Sequence, residues 1–62
     1  MNDYLFEVVG EESDLCGEQF FVECDTIEEA WDIAIDNFGD EELHYIGKYT
    51  PEEAEWLGLD TY

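Results

Sequence analysis

The stretch Asp25 to Gly39, DTIEEAWDIAIDNFG, constrains the fold most, because only a helix gives its residues a consistent inside and outside. Ile27, Ala30, Trp31, Ala34, Ile35 and Phe38 follow the i, i+3, i+4, i+7, i+8, i+11 spacing and share one face. Thr26 is placed to cap the helix start, with Glu29 three residues on to complete a capping box. Gly39 supplies the residue tolerant of positive φ that helix ends commonly require. The far side carries Glu28, Asp32 and Asp36 in an i, i+4, i+8 column, with Glu29 beside it. Like charges at that spacing repel, so this helix gives up stability to be negative outside.

The rest of the chain has the same bias. Of 62 residues, 19 are Asp or Glu and one is Lys or Arg, for a formal net charge of -18. High net charge commonly signals disorder. Here 45% of residues are hydrophobic and 16% aromatic, and they fall at clean helix and strand periods, which points to one small folded domain spanning residues 1–62. Such a domain is electrostatically strained and gains stability from salt.

The charge also excludes partners. A chain with a single basic residue, Lys48, cannot neutralise phosphates, which argues against direct binding to nucleic acid or an anionic membrane. No apolar run approaches a membrane span, and Met1 is followed by Asn2 and Asp3 rather than a basic segment. The expected location is the cytoplasm, where Cys16 and Cys24 remain free thiols.

Tyr4 to Val9, YLFEVV, reads as a first strand, with Tyr4, Phe6 and Val8 facing one way and Leu5, Glu7 and Val9 the other. Gly10 to Gly17, GEESDLCG, is an exposed connection. Gln19 to Cys24, QFFVEC, is the second strand, with Phe20, Val22 and Cys24 toward the core. That alternation leaves Phe21 on the outer face, beside Leu5 and Val9, as a small apolar patch. After the helix and an acidic turn at Asp40, Glu41 and Glu42, LHYIGKY from Leu43 to Tyr49 forms a third strand, with Leu43 and Tyr45 inward. A right-handed crossover through the helix places this strand beside the first.

Thr50, Pro51, Glu52 and Glu53 then open a short second helix that Gly58 stops. Ala54 and Leu57 are expected to pack inward, with Trp56 at the edge and Asp60 to Tyr62 as a tail. The expected fold is α+β, in the order β-β-α-β-α, with the main helix covering one face of a three-stranded sheet.

Catalytic chemistry finds little to work with. His44 stands alone in a strand, Ser13 lies in a loop, and no glycine-rich loop precedes a helix. Cys16, Cys24 and His44 match no zinc-ligand spacing. The run Asp36 to Asp40 lacks the order of a calcium loop. The expectation is a non-enzymatic protein with no cofactor and no specific metal.

What remains is the acidic surface. Solubility asks for a net charge of magnitude about 2–8 in a small domain, and this chain is well past that. Carboxylates on rigid elements can stand in for duplex phosphates and engage a basic groove. The candidate partner-binding residues are Glu28, Glu29, Asp32 and Asp36, continued by Asp40, Glu41 and Glu42, with Glu52, Glu53 and Glu55 as a second patch.

The segments VECDTIEEAWDIA and YTPEEAEWLGLDTY, with this acidity and layout, resemble small proteins of bacteriophages and other mobile elements. Some of these act as DNA mimics against host restriction or CRISPR nucleases. The resemblance implies a host-cytoplasmic inhibitor whose partner is a basic nucleic-acid-binding protein, a nuclease or effector complex. It carries no residue-level motif, so no site is transferred. The competing reading is an adaptor or self-associating structural protein, compatible with a homodimer. It would use Leu5, Val9 and Phe21 together with Trp56 and Tyr62, the acids serving only solubility.

Overall fold

A computed structural model describes residues 1–12, 14–39 and 41–62. Ser13 and Asp40, which the sequence reading places in the loop and the acidic turn, lie outside the described residues. The elements are β1 (Asn2–Val8), β2 (Gln19–Cys24), α1 (Ile27–Phe38), β3 (Leu43–Tyr49) and α2 (Pro51–Leu57). The sheet order is β2-β1-β3, and β1 runs antiparallel to both neighbours. β2 and β3 are therefore parallel to each other, joined through α1, with β1 threaded between them. The expected β-β-α-β-α domain is the one observed, and β1 begins two residues before the predicted Tyr4.

One face of the sheet is built as the alternation requires. Tyr4, Phe6 and Val8 of β1 and Phe20, Val22 and Cys24 of β2 meet Ala30 and Ala34 of α1 in a single buried cluster. Aromatic rings fill it. Phe6 stands edge-on to Trp31 at 4.8 Å between centroids, and Phe20 stacks on Phe38 at 4.4 Å. Such pairs add about 0.5–1.5 kcal/mol each beyond area burial.

The helix sits with its two alanines against the strands, because small side chains allow the closest approach. A face centred there places Ile33 about 80° to one side and Ile35 about 120° to the other at 3.6 residues per turn. Ile33 accordingly packs on the core, whereas Ile35, expected inside, is 55% exposed. Thr26 Oγ1 accepts from the Glu29 amide at 3.3 Å, and only this half of the expected capping box forms. Gly39 is not in the left-handed region (φ -56°, ψ -27°). A Cβ there would meet the Ile35 carbonyl oxygen at 2.8 Å, so the glycine serves close approach instead.

The second face overturns the predicted apolar patch. Phe21 is 0% exposed and Leu5 is buried with it, under Ala54 of α2, Tyr49 and Leu59; Val9 is half-buried. α2 supplies the cover. Its start is a complete capping box, with Thr50 Oγ1 accepting from the Glu53 amide at 3.2 Å and Glu53 Oε1 accepting from the Thr50 amide at 3.4 Å. Gly58 ends it in the left-handed conformation, φ 69°. So short a helix turns one residue squarely inward, which is Ala54; Leu57, expected to join it, is exposed.

The chain then returns to the sheet. The Phe21 amide donates to the Asp60 carbonyl at 2.8 Å, and the Tyr62 amide donates to the Phe21 carbonyl at 2.8 Å. The expected tail thus pairs in parallel with β2 and covers its outer edge. Tyr62 closes the end by standing edge-on to Phe20 and Phe38.

β3 contributes to both faces through a bulge. Pairing runs Leu5 to Gly47 and then Phe6 to Tyr45, so Ile46 has no partner on β1. Leu43 and Tyr45 thereby pack toward α1 while Tyr49 packs toward Phe21 on the other side. Replacing Phe21 with Ala should cost about 3–5 kcal/mol in urea denaturation, the loss expected of a core phenylalanine. A loss under 1 kcal/mol would restore the surface assignment.

Candidate interaction surface

Because α1 turns its apolar side to one face of the sheet, its acids turn to solvent. Glu28, Glu29, Asp32 and Asp36 are all exposed. The turn beyond is held by backbone bonds, from the Glu41 amide to the Phe38 carbonyl and from the Val9 amide to the Glu42 carbonyl, both at 2.9 Å. Glu42 is exposed and Glu41 half-buried, so they continue the α1 surface; Asp40 lies outside the described residues. Glu52, Glu53 and Glu55 are exposed as well, but α2 packs on the opposite face. The acidic residues therefore form two surfaces back to back. In the second, Glu53 also serves the helix cap, and its Oε1 accepts from Thr50 Oγ1 at 3.1 Å.

Lys48 is exposed on β3, the sheet's uncovered edge, where a lysine discourages strand addition by another chain. His44 is exposed on the same strand, opposite Glu7. Cys16 is an exposed free thiol, whereas Cys24 is buried and donates to the Thr26 carbonyl at 3.2 Å. Burial pushes the Cys24 thiol up, as it does the Tyr45 phenol. Among the described residues, no three His, Cys, Asp or Glu side chains are grouped to hold a metal ion, and no helix is long and apolar enough to cross a membrane.

Two features escaped the sequence reading. The first is a shallow groove of about 360 Å³ between β3 and α2, lined by Tyr49, Glu52, Glu53, Trp56 and Leu57. Trp56 is 88% exposed beside it, an apolar surface rimmed by carboxylates. The second is Asp3, only 2% exposed, whose Oδ1 is buried without a hydrogen-bond partner. Starting β1 at Tyr4 hid it. Extending the alternation two residues back from Leu5 puts Asp3 on the same face as that buried leucine.

No family model matches this chain, and neither does any curated protein or solved structure.

Burial raises the Asp3 carboxyl above its ordinary 3.8, and the neighbouring Glu23 adds to this while the N-terminal ammonium opposes it. Tyr49 of β3 is its other cross-strand neighbour, and Glu55 of α2 lines the same cavity. The folded chain thus holds this proton more tightly than the unfolded chain. Its contribution favours folding at low pH and is lost as pH rises from the unfolded value through the raised folded one. Replacing Asp3 with Asn should raise the thermal midpoint at pH 7 and flatten its pH dependence above about 4. A lower midpoint in the folded variant would mean the ionised carboxylate is stabilising.

Proposed function

We propose that this protein is a non-enzymatic inhibitor whose acidic surface occupies the basic groove of a nucleic-acid-handling protein, a nuclease or effector complex, as a mimic of duplex DNA. The reading is of the anti-restriction or anti-CRISPR kind, acting in the cytoplasm of a host cell. The observation that carries it is charge density. A net charge of -18 along a molecule 32 Å in its longest Cα dimension is one charge per about 1.8 Å, against about 1.7 Å for a DNA duplex. The length is also close to one duplex turn of about 34–36 Å. With a single Lys or Arg in the chain, internal pairing leaves this field almost intact.

α1, continued by Glu42, forms the first contact surface, since Glu28, Glu29, Asp32 and Asp36 are exposed on a helix anchored by aromatic packing. Association driven this way is fast and weakens with salt. The exposed Trp56 favours a second reading, in which the α2 groove makes an apolar contact and the acids serve solubility. That contact would persist in salt. Leu5 and Phe21 take no part in such a contact, because both are buried.

The test uses the intact protein as bait, with elution by salt and competition by duplex DNA. Changing Asp32 and Asp36 together to Lys should weaken capture of the basic partner by about tenfold or more and leave the domain folded. Changing Glu52 and Glu55 to Lys reports on the opposite surface. Unchanged capture by the folded Asp32 and Asp36 variant moves the contact off α1. Capture that resists salt and DNA and is lost in Trp56→Ala selects the apolar reading.

A further inference from the structure

The second face of the sheet holds a carboxylate that the chain itself leaves unanswered. Asp3 is 2% exposed, and its Oδ1 has no hydrogen-bond partner. It lines an open cavity of about 460 Å³ together with Glu23, Glu55, Leu59 and Thr61. The register sets Asp3 directly opposite Glu23, a like-charged cross-strand pair of the kind sheets normally avoid. Glu55 reaches the same cavity from α2. Asp3, Glu23 and Glu55, from three elements, therefore line one space, and Asp3 Oδ1 is closed off from water without compensation.

A cation in the cavity offsets the repulsion within the Asp3–Glu23 pair. A metal ion is the weaker fit, because these side chains are not grouped closely enough to ligate one. A guanidinium group suits such a lining better. It is planar, carries five donors in a rigid fork and can bridge separate carboxylates, while its alkyl stem can lie along apolar wall such as Ala54 and Leu59. It also loses less on leaving water than an ammonium does.

We propose that this cavity receives one guanidinium group, the side chain of an arginine on the basic partner, held by Asp3 and Glu23 with Glu55 beside them. The source of the arginine rests on the proposed function; the cavity's preference for a guanidinium does not. The pocket supplies what a diffuse acidic face lacks, a single position where the partner's register is fixed. It lies on the α2 face, opposite the acids of α1, so a partner using both would wrap around an edge of the sheet.

The experiment is an NMR titration of the intact protein at fixed ionic strength with N-acetyl-arginine amide, and in parallel with the citrulline and lysine analogues and with agmatine. The arginine compound should shift the amides of Asp3, Glu23, Leu59 and Thr61 saturably, in the millimolar range or tighter. The uncharged citrulline analogue should shift none of them. Asp3→Asn should weaken binding by about tenfold or more, as expected for losing a charged hydrogen-bond partner. Glu55→Gln, at an exposed position, should weaken it a fewfold, and the α1 variant with Lys at 32 and 36 should leave it within twofold.

Shifts spread over the acids of α1 and α2 without saturation, or an Asp3→Asn protein that binds equally well, would overturn the site. Equal binding of the lysine analogue would overturn the guanidinium preference. Agmatine binding more than tenfold tighter than the capped arginine would assign the cavity to a free small molecule and overturn the partner arginine. Loss of the α1 effect on partner capture, with the arginine titration intact, removes the mimic reading and leaves the pocket standing. A failed titration with salt-sensitive α1 capture intact does the reverse.

Discussion

Everything in this molecule depends on β1 being covered on both sides. It is the central strand of a three-stranded sheet, and Tyr4, Leu5, Phe6 and Val8 are all buried. In so short a chain this is demanding, since each face needs its own cover and small domains bury a modest share of their surface. α1 supplies one cover with alanines and aromatics. α2, Leu59 and the returning tail supply the other. The charge distribution follows from the same requirement: with both faces of the sheet occupied, the carboxylates are left on the outer surfaces of the covering helices, on the loops and at the strand ends, where water screens them. Among the described residues Asp3 is the buried exception, and its position beside Leu5 on the central strand is what makes it one.

The parts of this fold that were legible in the sequence are those governed by a local period. Phe6, Val8, Phe20 and Val22 alternate cleanly, and the α1 residues repeat at helical spacing, so the first core face could be read directly. The parts that were not legible depend on tertiary placement. Phe21 looks exposed by alternation because the strand pattern cannot say that a second layer will lie across it. The bulge at Ile46 transfers Tyr49 to the opposite face, and its one sign in LHYIGKY is Gly47, since a glycine inside a strand often marks a bulge. Asp60 to Tyr62 has no strand-like run, since its pairing comes from the backbone and from where Gly58 aims the chain. The acidic surface was legible as a composition and as a helix column. Its division into two opposed faces was not, because it depends on which side α2 takes.

That division matters for recognition. A single acidic face would fit a flat basic groove, as one side of a duplex does. Two acidic faces on a slab with Cα extents of 32 × 23 × 15 Å resemble a rod charged around its girth. This suits a partner that closes around nucleic acid rather than one that only touches it. The exposed Trp56 and its groove then lie on one of the charged sides, where an aromatic can stack on an arginine that a neighbouring Glu also pairs.

Folding and binding also share one source of energy here. The mutual repulsion that leaves the free domain strained is relieved by any partner that brings positive charge to it, and a ligand that binds only the folded state stabilises it by mass action. The features that oppose folding are those that favour a basic partner: the i, i+4 column of α1, the carboxylates of α2, and Asp3 opposite Glu23. The apolar framework carries the opposite task. Rings such as Phe6, Phe20, Phe21 and Trp31 have to hold the sheet and helices together in the absence of the partner, which explains why so small a chain devotes 16% of its residues to aromatics. In the proposed function charge selects the partner, and the aromatic core keeps that charge in fixed positions, so that its field is presented rather than averaged away as it would be on a disordered acidic tail.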